Sequence, residues 1–250
     1  MRTEIITSKQ NSTLVHVRKL LRSRSYREET GQYAAEGTKL LEEALHWSCD
    51  VQTVILTPEV VCPPIGSNVR VIQISKELMG QLSLQGQPQG AIFVCNFPKS
   101  TDTKIAPGTV ILDGIQDPGN LGTILRTADA LGIPVILSEG CADVYNPKTV
   151  RASMGAIFRS VPQWARRKDI LESCIEANVP LWATAMGEGA ADIRAIPVCQ
   201  YAVVIGNEGQ GVSQEFLEAA AGTTIIPMNP RCESLNAAIA AAIVMWQMKR

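Results

Sequence analysis

The chain has 250 residues, 46% of them hydrophobic and 19% charged, enough apolar material for a sizeable core and for one large or two ordinary domains. Seven cysteines (Cys49, Cys62, Cys95, Cys141, Cys174, Cys199, Cys232) form no CxxC pair, and the two histidines, His16 and His46, lie apart from them. This argues against a disulfide framework and a structural zinc site, and no metal is expected. The first residues, MRTEIITSKQNSTL, lack an apolar leader, and no window reaches the roughly 18 apolar residues of a membrane span; a reduced, cytoplasmic setting without membrane is expected.

The net charge of −1 hides an asymmetry near the N-terminus. Lys9, Arg18, Lys19, Arg22, Arg24 and Arg27 occur with no acid among them. Such an arm can neutralise phosphates, although on charge alone the run reads as a solvated helix face. Apolar residues at helical spacing follow in AAEGTKLLEEALHW. The β-rich runs VQTVILT, VRVIQIS and GAIFVCNF then complete a small α/β domain ending near Phe97. The turn-rich PKSTDTKIAPG marks a linker, which divides the chain into residues 1–98, a connection at 99–107 and a second domain at 108–250.

Beyond the linker, TVILDG, IPVILSEG, PLWATAM, YAVVIGNEG and TTIIPM are short apolar runs, most of them followed by helical patterns. Nearly continuous apolar strands alternating with helices predict a parallel sheet of the α/β class. Ligands bind such sheets beyond the carboxyl ends of the strands, which is where the unusual residues fall. In LDGIQDPGNLGTILRTADALG, Pro118 and Gly119 form a turn pair. Asn120 is expected to cap a helix from Leu121, and Gly122 to allow close packing. Arg126 interrupts that helix's apolar pattern about 9 Å from the cap. A guanidinium there requires an anion, carbonyls or water, and a structural ion pair with Asp117 or Glu208 would also satisfy it.

A second loop, VVIGNEGQGVSQE, carries Gly206, Gly209 and Gly211 directly after a strand, so that backbone amides can approach a ligand. Its spacing is not the dinucleotide fingerprint GxGxxG, and Glu208 disfavours phosphate while suiting a positively charged ligand. The third, TTIIPMNPRCESLNAAIAAAIVMWQMKR, leaves a strand ending at Pro227. It passes through Arg231 and Glu233, and Ser234 is expected to open a capped helix with Asn236 in its first turn. Ala237, Ala238, Ala240, Ala241 and Ala242 leave that helix little bulk, as a buried helix or a subunit interface would require.

Together these loops resemble the three motifs of the SpoU (TrmH-like) 2′-O-ribose RNA methyltransferases of the SPOUT superfamily. The first is Asn120, Gly122 and Arg126 in N-x-G-x-x-x-R spacing, the second GNEGQGVS, and the third PMNPRCESLNAAIAAAI. NPKTVRASMGAIFRS is similar to the family's intervening segment, and the likeness covers about residues 108–250. The first domain, with its basic arm and YAAEGTKLLEEAL, resembles the L30e-like substrate-binding domain of many members.

The resemblance implies a C-terminal trefoil knot, an S-adenosylmethionine site and a homodimer formed through the C-terminal domain. It places the cofactor at Gly206, Ile226, Met228, Ser234 and Leu235, and the catalytic set at Asn120, Arg126, Glu208, Ser234 and Asn236. Pro230 departs from the glycine that many members carry. The implied reaction is methylation of a ribose 2′-hydroxyl, with ribosomal RNA favoured over transfer RNA by the full N-terminal domain. Because a guanidinium stays protonated, Arg126 is read as a donor to developing alkoxide charge and to phosphate rather than as a base. RNA contacts are expected from Arg18, Arg22, Arg24, Arg27, Lys148 and Arg151, with Arg166, Arg167 and Lys168 as further candidates. A nicotinamide-dependent enzyme, a non-catalytic knotted RNA-binding protein, a base-methylating relative and a tRNA ribose methyltransferase are the rival readings.

Overall fold

A computed structural model describes residues 3–98, 104–187, 189–196, 200–229, 231–232 and 234–249. The chain forms two compact units, one of residues 1–99 with 145–159 and one of residues 100–144 with 160–250.

In the first unit the chain runs β1 (Glu4–Ile5), α1 (Ser12–Arg22), α2 (Arg24–Thr30), β2 (Gln32–Glu36), α3 (Thr38–His46), β3 (Val51–Leu56), β4 (Arg70–Gln73), α4 (Lys76–Leu82) and β5 (Ala91–Asn96). The sheet order is β1-β4-β3-β5-β2, with β5 antiparallel to both of its neighbours. Polar caps set the helix starts: Asn11, Ser23 and Ser75 accept backbone N–H groups of Thr13, Tyr26 and Leu78, which would otherwise lack partners. Leu14, Val17, Leu20 and Leu21 of α1 pack into one core with Ile55, Ile72, Ile92 and Val94 of the sheet.

Two expectations change in this unit. Ala34 and Ala35 belong to β2, paired with Val94 and Phe93; the helix starts only after Gly37, whose φ of +131° is a conformation that glycine tolerates. Arg27 is only 3% exposed and donates to the Leu20 carbonyl. It therefore secures the α1–α2 turn and is withdrawn from any RNA surface. Arg22 and Arg24 are exposed, Arg24 beside Glu28, and Arg18 is half-buried.

The second unit contains β6 (Val110–Leu112), α5 (Pro118–Leu131) and β7 (Val135–Leu137), after which the chain leaves for α6 (Pro147–Ser153) and α7 (Ala156–Arg159) in the first unit. It continues with β8 (Gln163–Trp164), α8 (Arg167–Glu176), β9 (Leu181–Thr184), β10 (Ala191–Asp192), β11 (Ala202–Ile205), α9 (Gln214–Ala219), β12 (Gly222–Ile225) and α10 (Ala237–Met248). All seven strands are parallel, in the order β10-β12-β9-β11-β6-β7-β8. The chain first builds outward from β6 to β8, then crosses over to β9 and inserts β11 beside β6. That reversal opens a crevice at the carboxyl ends of β6 and β11.

Aromatic packing explains why residues 145–159 join the first unit. Tyr145 stacks on Tyr33 at 4.6 Å and on Phe97 at 4.4 Å between ring centroids, and Phe158 lies 6.3 Å from Phe93. Lys148 and Arg151 on α6 are exposed, and α1, α2 and α6 all pack on β2.

Candidate active site

The crevice is built by the loops following β6, β11 and β12. Asp117, and not Asn120, caps α5: its carboxylate accepts the Asn120 N–H at 2.8 Å, and Pro118 takes the first helical position, where a missing N–H costs nothing. This releases the Asn120 side chain. Likewise Asn236, and not Ser234, caps α10, its Oδ1 accepting from Ala238 N at 2.9 Å and Ile239 N at 3.3 Å.

These caps dictate a relay. With its oxygen committed to the helix, Asn236 presents Nδ2, which donates to Asn120 Oδ1 at 3.0 Å. Asn120 must then offer its own Nδ2, which donates to Glu208 Oε1 at 2.9 Å, while Gln116 N donates to Oε2 at 3.3 Å. Burial raises the Glu208 pKa, but the Asn120 amide and the backbone donors outweigh it and hold the carboxyl below the usual carboxylate range. One residue from each predicted loop thus enters a single chain ending on an anion.

The glycine loop has its own organiser. Asn207 exchanges backbone bonds with Gly211 at 2.9 and 3.0 Å, and its Oδ1 accepts from Gly209 N at 2.8 Å and Gln210 N at 2.9 Å. Its Nδ2 donates to the Gly114 carbonyl at 2.7 Å. Sequence reasoning passed over Asn207; an Asn directly after a strand, able to close an Asx turn on the glycines behind it, is the signal. Gly206 is required for close approach, because a Cβ there would lie 2.2 Å from both Gly211 C and Val212 N.

A cavity of about 460 Å3 lies beside this loop, within the range of small-molecule sites. Gly206, Ile226, Met228, Ser234 and Leu235 all line it, as does Glu208 at its polar side. Ala237 and Ala240 of α10 also reach it, so the alanine run leaves room for the cavity as well as for packing. Arg126 is exposed and makes no side-chain hydrogen bond or ion pair with any described residue; the ion pair with Asp117 or Glu208 is not formed. Arg166 pairs with Asp169 at 2.8 Å, Lys168 with Glu172 at 3.6 Å and Arg167 with Asp113 at 2.9 Å, so all three candidates carry local acidic partners. Pro230 and Glu233 lie outside the described residues.

A parallel sheet with a switch-point crevice, a cavity and an anion held by three loops defines a small-molecule-binding α/β protein. Comparison with known proteins narrows the class. Residues 107–246 match the SpoU rRNA Methylase family and residues 11–92 the MRM3-like substrate binding domain. The chain belongs to the SpoU rRNA methylase family. It is 31% identical over 234 residues to the 23S rRNA (guanosine(2553)-2′-O)-methyltransferase RlmP of Bacillus subtilis, covering 92% of this chain and 94% of that protein. Among solved structures, the AdoMet-bound rRNA methyltransferase of Sinorhizobium meliloti is 30% identical with a TM-score of 0.89, covering 99% of this chain and 97% of that one. AviRb of Streptomyces viridochromogenes, a SpoU methyltransferase in complex with AdoMet, is 26% identical with a TM-score of 0.81, covering 96% and 98%.

Gly206→Ala is expected to cost about 1–3 kcal/mol in urea unfolding, since the backbone it would strike cannot move as a flexible side chain does. A loss below about 0.5 kcal/mol, typical of an indifferent surface change, would contradict the crossing.

Proposed function

We propose that this protein transfers a methyl group from S-adenosylmethionine to a ribose 2′-hydroxyl of RNA, with ribosomal RNA as the substrate class. The observation that carries the reading is the Asn236–Asn120–Glu208 chain beside the cavity lined by Gly206, Ile226, Met228, Ser234 and Leu235. The whole-chain similarity to a named rRNA methyltransferase and the substrate-binding-domain match over residues 11–92 support ribosomal over transfer RNA.

The cavity suits the cofactor on its own chemistry: apolar walls from Ile226, Met228 and Leu235 accept the flat base and the aliphatic carbons, and the carboxylate of Glu208 favours positive charge. Bound there, S-adenosylmethionine would supply an electrophilic methyl carbon on a positively charged sulfur that would keep the carbon–sulfur electron pair when the methyl passed to the ribose oxygen. Glu208, kept anionic and fixed by Asn120, orients the reacting groups; Asn236 braces Asn120 and Ser234 lines the wall. Arg126, with no side-chain partner among the described residues, is the donor to the developing alkoxide and to the adjacent phosphate. The proton leaves to water, to phosphate or to a transiently neutral Arg126.

In this reading residues 1–98 bind substrate, 99–107 link, and 108–250 catalyse, with α6 contributing Lys148 and Arg151 to the RNA face formed with Arg18, Arg22 and Arg24. The trefoil knot implied by the family rests on the fold match to solved SpoU methyltransferases. Among the described residues no helix is long and apolar enough to cross a membrane, and the reaction is assigned to the cytoplasm. The homodimer is assigned to α10, where Ile239, Ile243 and Trp246 are 53%, 38% and 66% exposed. Spacings of four and three residues put them on one helix face, an apolar stripe of the kind that associates.

Labelled methyl from S-adenosylmethionine should appear as a 2′-O-methyl nucleotide in ribosomal RNA from cells lacking this protein. Arg126→Ala should retain cofactor binding and lose at least about 100-fold in rate; an unchanged rate would remove Arg126 from the chemistry. Label in transfer RNA alone would overturn the substrate assignment, and no cofactor binding would favour the non-catalytic reading. Ile239→Glu with Trp246→Glu should convert a dimer to a monomer in sedimentation, whereas a monomeric unmodified protein would contradict the α10 interface.

A further inference from the structure

Asp113 follows β6 directly and is 2% exposed. A buried carboxylate needs several donors, and this one has three from three separate elements. Ser138 Oγ donates to Oδ1 at 2.7 Å, Arg167 Nε donates to the same oxygen at 2.9 Å, and Ser213 N donates to Oδ2 at 2.8 Å. Burial raises its pKa, but these hydrogen bonds outweigh that and the group is held ionised. Arg167 is itself fixed: its side chain reaches the Glu139 carbonyl at 3.2 Å, its backbone N–H donates to Glu139 Oε2 at 2.8 Å, and Glu215 lies at 3.7 Å.

The third donor is the informative one. Ser213 closes the loop that begins at Gly206, and Gly206 to Val212 line the cavity. The loop's near end is tied to the exit of β6 by Asn207 donating to the Gly114 carbonyl, and its far end by Ser213 donating to Asp113. Adjacent residues 113 and 114 therefore hold both ends of the loop. We propose that Asp113, with its charge balanced by Arg167, is a positioning residue for the methyl-donor site, setting the width of the cavity through the far end of the 206–213 loop. The inference rests on the methyl-transfer reading above and adds residues that lie outside the cavity wall. Arg167 then serves the donor site from within rather than RNA from the surface.

The test is S-adenosylmethionine binding by calorimetry on the full chain without RNA, at a temperature where melting curves show each variant folded. Asp113→Asn should weaken binding at least tenfold. In turnover it should raise the donor KM by a similar factor, while the RNA KM stays within twofold. A purely structural role would lower the melting temperature and leave donor affinity unchanged in the folded protein, which would overturn the proposal. Should Asp113→Asn not fold, Arg167→Gln is read in the same way, since it leaves the buried Asp113 carboxylate without its balancing cation and so weakens its hold on the Ser213 N–H. Asp113→Asn with Arg167→Gln removes both charges and should regain melting temperature without regaining donor affinity; recovery of both together would also overturn the proposal. Absence of binding by the unmodified protein would overturn the methyl-donor reading itself, an outcome distinct from failure in the variants alone.

Discussion

Asn236 has one carbonyl oxygen, and the N-terminus of α10 takes it. Everything at the centre of the site follows from that commitment. The amide of Asn236 can only donate, so Asn120 must accept with its oxygen, and its own amide must find an acceptor. Glu208, acceptor-only when ionised, ends the chain. Three loops separated by up to 116 positions are thereby given one arrangement, and side-chain polarity leaves no alternative sense for the relay.

The relay works because the sheet delivers those loops to one edge. Inserting β11 beside β6 brings the glycine loop against the exit of β6, and Gly206 lets the chain cross itself at a distance no side chain would permit. The same crossing brings Asn207 onto Gly114 and Ser213 onto Asp113. A parallel sheet in this order thus yields a cavity walled by the glycine-loop backbone and apolar side chains such as Ile226, Met228 and Leu235, with Glu208 in its lining. Arg126 lies outside the relay and is exposed.

Much of this was legible in the sequence. Apolar runs of strand length located eight of the twelve strands among the described residues, and the resemblance to the SpoU family, rather than any spacing, grouped Asn120, Glu208 and Asn236, which meet. The misreadings concern offsets of a few residues. Asn120 and Ser234 are acceptable cap residues by type, but Pro118 and the alanine run shift the helix starts so that Asp117 and Asn236 hold the cap positions. Arg126 interrupts an apolar pattern yet faces outward, because residues 123, 126 and 130 form the exposed side of α5. Arg27 looks like one more surface base, but its partner is a backbone carbonyl seven residues earlier, and no charge pattern encodes that. The Asp113–Arg167 pair spans 54 positions, and only the folded sheet makes the two residues neighbours.

A double-mutant cycle between Asn120 and Glu208 tests the relay most directly. The quantity to measure is kcat/KM for RNA methylation in Asn120→Ala, Glu208→Gln and the combined variant. If Asn120 acts by holding Glu208, the second change costs less once the first is made, and the coupling should reach about 1 kcal/mol or more. Additivity within about 0.5 kcal/mol would mean that the two side chains act independently, and the relay would then be a feature of packing alone.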